Sequence, residues 1–195
     1  MKINILLFNK FETLDAFGPV EIFGKVKEFS IEYFSVMGGL VESSQNFSIP
    51  TKPVASAEKD SVLLIPGGEG TRSLVNDSEF LFSLKQAVEK SRFCLSVCTG
   101  SALLAKAGLL DGIKATSNKR AFEWVKTNSE KTIWTEHARW TADGKFYTSS
   151  GVSAGMDMAL GFVADILGKA RAKEIARHIE YAWNEDPASD DFSEN

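Results

Sequence analysis

The sequence predicts an α/β protein whose mostly parallel central sheet is covered by helices on both faces. Short apolar runs, typical of strands buried on both faces, alternate along the chain with segments of helical spacing. The 195 residues are enough for one full hydrophobic core. Since no linker, repeat or low-complexity stretch divides the chain, we expect a single domain.

The N-terminal half shows alternating strand and helix signals. Pro19 follows Gly18, which predicts the start of a helix because proline suits the first helical turn, and this helix should reach about Phe29. Pro50 and Pro53 interrupt the polar stretch 40–54, which favours a hairpin or an irregular excursion. The predicted strands of this half are 3–8, 31–36 and 62–65.

The C-terminal half continues the alternation. Asp143 and Gly144 predict a hairpin turn between strand-like segments 133–141 and 145–148. The other predicted elements are a strand at 93–97 and helices at 79–90, 101–107, 121–127, 153–167 and 170–183. The domain should therefore span residues 1–183. We expect the acidic tail 184–195 to be loosely held, with Phe192 as a candidate anchor.

The clearest functional signal is Cys98, which stands between a predicted strand and a predicted helix. Gly100 follows two residues later and permits a tight approach of the backbone. This order is typical of a nucleophile elbow, in which the side chain projects at the top of a sheet. The free N–H groups and positive dipole end of the new helix should favour the thiolate. The alternative is a buried cysteine that acts as a small apolar filler.

Cys94 is expected to be a core residue. On a strand it would lie roughly 13 Å from Cys98, at about 3.3 Å per residue, whereas a disulfide needs Cα atoms within about 7 Å. The two cysteines and two histidines are scattered and show no zinc spacing, so we predict no metal site.

Three loops should meet at the carboxyl edge of the sheet, where ligands bind in open α/β proteins. These loops follow residues 8, 65 and 97, and they bring Asp15, Gly68 and Cys98 together. The loop 66–70 lacks the Gly-Lys-Ser/Thr of a P-loop, and no glycine directly follows the first strand, so no nucleotide cofactor is expected. We interpret the Gly68 N–H as a donor to an oxyanion, with a plain tight turn as the alternative.

Composition and charge exclude several other classes of protein. A formal net charge of −4 argues against broad nucleic-acid binding. No apolar run approaches the roughly 20 residues of a membrane helix, so no membrane partner is expected. The apolar N-terminus lacks a signal-peptide cleavage site and is soon followed by Glu12 and Asp15, which predicts a first strand in a cytoplasmic protein.

The sequence resembles the ThiJ/PfpI superfamily, which has the class I glutamine amidotransferase-like fold, over nearly the whole chain. The resemblance rests on segments 14–19, 65–68, 96–100, 107–112 and 150–157. Asp15 in a Leu-Asp-x-x-Gly-Pro pattern and Thr99 after the cysteine are most similar to the isocyanide hydratase branch and to related domains of transcription regulators. The resemblance implies a flavodoxin-like sandwich, a small-molecule substrate, no cofactor and a homodimer.

One position departs from the pattern of these relatives. They commonly carry a histidine in a Thr-Thr-His-Trp segment after the elbow helix, where this chain has Asn118. An amide cannot shuttle protons, which argues against a Cys–His mechanism. Neither remaining histidine stands in a catalytic pattern. His137 is expected to be a hydrogen-bonded structural residue, and His178 a solvated or interface residue.

Asp15 is therefore the expected proton carrier, with a helix N-cap as the alternative role. An ionised carboxylate would repel a thiolate, so the pair should share one proton. The expected chemistry is attack of Cys98 on a small electrophile, and the resemblance suggests hydration of an isocyanide to an N-formamide. Backbone N–H groups of Gly68 and Thr99 should stabilise negative charge, and the Thr99 hydroxyl should orient water or substrate.

Gly67, Gly151 and Val152 are expected to line the pocket. Tyr181 and Trp183 are candidates for its mouth, with core packing as the alternative. Two other functions stay open at this point: a cysteine-based redox or stress sensor without turnover, and a small-molecule-binding domain like those of the related regulators.

Overall fold

Ten strands and seven α-helices are formed by residues 1–193, the part of the chain that the computed structural model describes. The strands are β1 (Lys2–Leu6), β2 (Ser30–Ser35), β3 (Gly39–Glu42), β4 (Ser48–Pro53), β5 (Val62–Ile65), β6 (Phe93–Val97), β7 (Lys114–Ala115), β8 (Ile133–Trp134), β9 (Trp140–Asp143) and β10 (Phe146–Ser149). The helices are α1 (Thr13–Gly24), α2 (Thr71–Leu74), α3 (Ser78–Lys90), α4 (Gly100–Lys106), α5 (Phe122–Lys126), α6 (Ala154–Leu167) and α7 (Lys169–His178).

Eight of the strands form one sheet in the order β3-β4-β2-β1-β5-β6-β10-β9. From β4 to β10 every neighbouring pair is parallel. The two outermost pairs, β3 with β4 and β9 with β10, are antiparallel hairpins. The mostly parallel sheet predicted from the sequence is thus confirmed. Strands β7 and β8 pair separately and in parallel.

The central strands are buried along almost their whole length. All four residues of β5 are buried, and so are the last four of β1 and of β6. Each fully buried aliphatic side chain contributes about 1.5–3 kcal/mol, which explains why these runs are apolar throughout rather than alternating. The helices form two groups, one in which α6 packs on α1 and α7, and one in which α4 packs on α2, α3 and α5.

Helix α1 begins earlier than predicted and encloses Pro19 rather than starting at it. Proline has no N–H to donate to the Asp15 carbonyl, so one helical hydrogen bond is lost. Packing against α6 offsets that loss, because Gly18 lies so close to Met156 that an added Cβ would stand 2.9 Å from its Cγ. The early start places Asp15 in the first turn of the helix.

Two C-terminal elements are shorter than predicted. Helix α7 ends at His178, because the chain after it turns back toward Asp157. The Tyr181 hydroxyl donates to Asp157 Oδ1 over 3.1 Å, and Trp183 Nε1 donates to the Asp157 carbonyl over 3.2 Å. The predicted strand 133–141 is divided into β8 and the first residues of β9. Arg139, just before β9, directs a buried guanidinium to Asp157 over 2.6 Å.

The acidic tail is held to the domain over residues 184–193, contrary to the expectation of a loose tail. Its anchor is Asp190, which is buried and pairs with Arg139 Nη1 over 3.5 Å. The Pro187 carbonyl also accepts the Arg139 N–H over 2.9 Å. Phe192, the expected anchor, is 63 % exposed. Residues 194 and 195 of the predicted tail lie outside the described part of the chain.

None of the helices in residues 1–193 combines the length and the apolar character that a membrane crossing needs.

Candidate active site

The predicted elbow is present at Cys98, between β6 and α4. Its φ of +57° is unusual for a residue with a side chain and is the strained conformation of a nucleophile elbow. The Cys98 N–H donates to the carbonyls of Ser149 and Ser150 over 3.2 and 3.1 Å, and Ser117 Oγ donates to the Cys98 carbonyl over 2.8 Å. These contacts hold the backbone in place, so the strain is maintained by the surrounding loops.

Asp15 lies beside the sulfur and is fully buried. Its Oδ2 accepts the Gly67 N–H over 3.0 Å. Its Oδ1 has no protein partner of good hydrogen-bond geometry among residues 1–193, and the Cys98 side chain interacts with the same carboxyl. The N-cap of α1 is Glu12, so the alternative role of Asp15 as a helix cap does not apply.

Burial dominates the acidity of both groups. It raises the pKa of Asp15 to about 7, against the opposing effect of the Gly67 N–H. Burial and then the negative charge of Asp15 raise the pKa of the Cys98 thiol, while the Thr99 N–H and hydroxyl lower it. The helix end therefore does not by itself make Cys98 acidic, contrary to the expectation from the sequence.

Cys98 and Asp15 titrate as a pair because each changes the charge that the other faces. The first proton leaves the pair near neutral pH, and the second leaves only at much higher pH, because two negative charges would then share one buried site. The proton that remains on the singly ionised pair is held mainly by the sulfur, because burial and the negative charge of Asp15 raise the pKa of the thiol well above that of the carboxyl.

Thr99 links the elbow to the glycine loop. Its Oγ1 accepts the Gly68 N–H over 3.1 Å and lies 3.0 Å from Thr71 Oγ1, whose hydroxyl also reaches the Gly68 carbonyl over 2.7 Å. The Gly68 N–H that the sequence suggested for an oxyanion is thus already paired with Thr99. Sequence reasoning missed Thr71, because no motif in the chain marks it.

Gly67 lies behind the site rather than in its wall. An added Cβ would stand 2.6 Å from the Thr99 nitrogen and 2.9 Å from Asp15 Oδ2. Glycine is therefore needed for the loop to approach both groups, and Gly67 is buried instead of lining the pocket as expected.

Cys98 opens into a cleft of about 460 Å³, which we call the Cys98 cleft. The sulfur stands at its base, since Cys98 is only 8 % exposed. Val152 lines the cleft as predicted. The other lining residues are Glu12, Gly68, Glu69, Arg72, Thr99, Asn118, Arg120 and Ala121. The two arginines were not anticipated, because short helices and turns bring them in and no motif marks them.

A second cleft of about 480 Å³ adjoins the Cys98 cleft and shares Asn118, Arg120 and Val152 with it. Its other lining residues are Lys119, Ser150, Gly151, Ser153 and Phe192. Of the predicted pocket residues, Gly151 therefore lies in this second cleft.

Asn118 does not act as a proton carrier in this arrangement. Its Oδ1 accepts the Ala121 N–H over 3.1 Å, and its Nδ2 faces Gly151 closely enough to exclude a side chain there. Neither histidine lines the Cys98 cleft: His137 Nδ1 lies 3.2 Å from Ser193 Oγ, and His178 borders a different hollow beside α1.

The two late aromatic residues lie elsewhere. Trp183 lines a cavity of about 620 Å³ that does not include Cys98, and Tyr181 bonds to Asp157. Within residues 1–193 no cluster of three or more histidine, cysteine or acidic side chains is arranged to hold a metal ion.

Comparison with known proteins decides the family. Residues 1–165 match the DJ-1/PfpI family. The chain belongs to the DJ-1/PfpI family. This confirms the resemblance to the ThiJ/PfpI superfamily that the sequence motifs indicated. A solved ThiJ/PfpI family protein from Pseudomonas syringae superposes with a TM-score of 0.81 at 30 % identity, covering 94 % of this chain and 76 % of that one.

Characterised relatives in this DJ-1/PfpI family differ in what they do. The isonitrile hydratase of Pseudomonas putida is 29 % identical over 185 residues, which is 93 % of this chain and 79 % of that protein. The HTH-type transcriptional regulator GbdR of Pseudomonas aeruginosa is 28 % identical over 146 residues, 74 % of this chain but 38 % of the regulator. The family thus includes both an enzyme and regulators.

Proposed function

We propose that this protein is a cysteine-dependent hydratase that adds water to a small isocyanide and releases an N-formamide. The observation that carries the proposal is the buried Cys98–Asp15 pair at the base of an open cleft. The terminal carbon of an isocyanide must receive both a nucleophile and a proton. A thiol and a carboxyl that share one proton supply both to the same atom.

In the first step the Cys98 sulfur bonds to the terminal carbon of the isocyanide. As this bond forms, Asp15 takes the thiol proton and passes it to the electron pair of the carbon, which gives a thioimidate, R–N=CH–S–Cys98, and leaves Asp15 ionised. Burial favours this transfer, because it raises the pKa of the carboxyl to about 7 and so makes Asp15 a proton donor at neutral pH.

In the second step a water molecule attacks the thioimidate carbon. Asp15 takes a proton from the water and passes it to the nitrogen as the carbon–oxygen bond forms. The carbon–sulfur bond then breaks, the new hydroxyl loses its proton to the Cys98–Asp15 pair, and R–NH–CHO leaves. The substrate thus gains one water, and the pair returns to its starting state.

Thr99 has the supporting role in this scheme. Its N–H and hydroxyl lower the pKa of Cys98, so they stabilise negative charge on the sulfur before attack and as the sulfur leaves. Its Oγ1 also holds the Gly68 N–H. Release of that N–H toward the substrate would provide the oxyanion donor that the loop geometry suggested.

The test is formation of N-formamide from a panel of neutral isocyanides, with nitriles, activated amides and α-ketoaldehydes as competing substrate classes. We expect turnover of isocyanides, a loss of about 10³-fold or more in Cys98→Ala, and a loss of about 10²-fold or more in Asp15→Asn. Absence of turnover with every isocyanide, or full activity of Cys98→Ala, would overturn the proposal.

A second candidate is a small-molecule sensor, which the similarity to the regulator GbdR favours. A sensor would bind a ligand in the Cys98 cleft without consuming it. Saturable binding of the same compound to wild type and to Cys98→Ala, with no product formed by either, would favour this candidate. Stoichiometric oxidation of Cys98 by peroxide without any turnover would instead favour the redox sensor.

A further inference from the structure

The second cleft extends the space available to a substrate beyond the reach of the sulfur. It shares Asn118, Arg120 and Val152 with the Cys98 cleft, so a molecule whose reactive carbon lies at Cys98 can continue past Val152 into it. Together the two clefts accept a molecule considerably larger than the isocyano group alone. The lining of the second cleft should therefore select what is attached to that group.

The charges along the two clefts differ. The Cys98 cleft is bordered by two arginines and by Glu12 and Glu69, whose charges offset one another. Among residues 1–193, the second cleft is bordered by Lys119 and Arg120 and by no acidic residue. An anion would therefore be bound more favourably in the second cleft.

Lys119 and Arg120 are not equally available to a ligand. The Lys119 ammonium donates to the Ala138 carbonyl over 2.6 Å and to Thr116 Oγ1 over 2.9 Å, and it lies 3.9 Å from Asp190 Oδ2. The ion pairs of this region within residues 1–193 join Asp190 to Lys119 and to Arg139, and Lys126 to Glu123, and none includes Arg120. Arg120 is exposed and has no ion-pair partner within residues 1–193, so its guanidinium is the more available of the two positive charges that line the second cleft.

The start of helix α6 adds to this positive potential. Ser153 is its N-cap and makes no side-chain capping bond, and the first three N–H groups of this 14-residue helix donate instead to the backbone carbonyls of residues 151–153. Ser153 also lines the second cleft. The helix dipole therefore adds only a weak positive potential on the side of the second cleft where Ser153 lies, and Arg120 is left as the group that would bind the anion.

The second cleft also offers an apolar surface. Phe192 is 63 % exposed although Asp190, two residues earlier, is buried and holds the tail. Phe192 and Val152 both line the cleft. An apolar body between the reactive carbon and the anionic group would cover this exposed aromatic ring.

We propose that the second cleft is a substrate subsite in which Arg120 binds a carboxylate, while an apolar ring or short chain lies against Val152 and Phe192. This inference rests on the proposed function, because it concerns the substrate of the same site. The substrate class is an isocyanide that carries a carboxylate. A guanidinium suits this role because it can donate two parallel hydrogen bonds to a carboxylate.

The first test needs no enzymatic turnover. Two alkylating probes share an iodoacetanilide body, and one of them, 4-(iodoacetamido)benzoate, carries a carboxylate. The measurement is the second-order rate of Cys98 labelling by each probe, followed by intact mass. We expect wild type to react about tenfold faster with the carboxylate probe, and Arg120→Gln to reduce this ratio to about one.

The matched control is Arg92→Gln, which removes the same charge at the opposite end of β6, before its first residue Phe93. It should leave the ratio of the two labelling rates at the wild-type value. Phe192→Ala should slow both probes by a similar factor, because both carry the ring. A wild-type ratio near one, or a ratio that Arg120→Gln does not change, would overturn the subsite.

A second measurement separates failure of the subsite from failure of the hydratase. 4-Isocyanobenzoate and phenyl isocyanide differ only in the carboxylate, and Arg120→Gln should raise KM for the first about tenfold relative to the second. Selective labelling without any turnover would retain the subsite and reject the hydratase. Turnover of both isocyanides without selectivity in KM or in labelling would reject the subsite and retain the hydratase.

Discussion

At the scale of single residues, the site depends on the protonation of Asp15. The carboxyl is buried, and burial raises its pKa from 3.8 to about 7. The folded protein therefore holds this proton more tightly than the unfolded chain does. The resulting stabilisation is fully present below about pH 4 and is lost as the pH rises through about 7.

Asp15→Asn removes this titration while keeping the shape of the side chain. Relative to wild type, we expect the variant to gain about 2–4 kcal/mol in the free energy of unfolding between pH 4 and pH 8, because the wild type must bury a charge at high pH. Urea unfolding at several pH values measures the difference. Asp191→Asn, which makes the same substitution at an exposed position, is the control. A difference between Asp15→Asn and wild type that does not change with pH would contradict this role of Asp15.

Sequence patterns predict the central residues of the site but not its periphery. Cys98, Asp15 and Thr99 are predictable because parallel strands deliver their following loops to one edge of the sheet. Thr71, Arg72 and Arg120 are not, since they reach the site through short helices and turns whose positions depend on tertiary packing. The guanidinium of Arg72, for example, lies 3.4 Å from the ring centre of Trp124, a contact between distant segments.

At the scale of elements, the close approach of the glycine loop to the elbow decides the geometry. The Gly67 N–H binds Asp15, and the Gly68 N–H binds Thr99. The loop thereby fixes the carboxyl and the hydroxyl on either side of Cys98. This arrangement is possible because the backbone at Gly67 comes within a distance that no side chain allows.

Gly67→Ala should disturb both the fold and the site. The added methyl group would overlap the Thr99 nitrogen and Asp15, so we expect a loss of about 2–4 kcal/mol in the free energy of unfolding and slower labelling of Cys98. Gly24→Ala is the matched control, because Gly24 ends α1 and no atom of residues 1–193 lies near the added Cβ. It should be neutral or stabilising by up to about 1 kcal/mol. Equal effects of the two substitutions on unfolding would contradict this reasoning.

The bounds of a strand or helix can be predicted from the sequence where its hydrophobic pattern matches the burial of its residues in the fold. Strands β5 and β6 match their predicted bounds, since runs buried on both faces are apolar throughout. Helix α1 was predicted to start too late because Pro19 was interpreted as a first-turn residue. The contact between Gly18 and Met156 that holds this helix joins residues far apart in the chain, and local pattern carries no sign of it.

At the scale of the whole molecule, a buried ionic cluster ties the C-terminal tail to the domain. Arg139 binds Asp157 over 2.6 Å and Asp190 over 3.5 Å, and Lys119 lies 3.9 Å from Asp190. The tail that holds Asp190 also carries Phe192 into the second cleft. The cluster therefore joins the stability of the tail to the shape of the candidate substrate site.

Asp190→Asn should weaken this attachment. Removing one charge leaves Arg139 and Lys119 with less compensation, and we expect a loss of about 1–3 kcal/mol in the free energy of unfolding. The neighbouring Asp191→Asn is exposed and should change it by less than about 0.5 kcal/mol. Thermal and urea unfolding measure both variants, and indistinguishable results would show that the cluster does not hold the tail.

The pH dependence of Cys98 alkylation by iodoacetamide, in wild type and in Asp15→Asn, tests the shared proton most directly. The wild-type rate should rise with a midpoint near pH 7, where the pair loses its first proton. In Asp15→Asn only the thiol can ionise, and burial raises its pKa, so the midpoint should move above about 8.5. A midpoint that is the same in both proteins would contradict the account, because Cys98 would then ionise without any part played by Asp15.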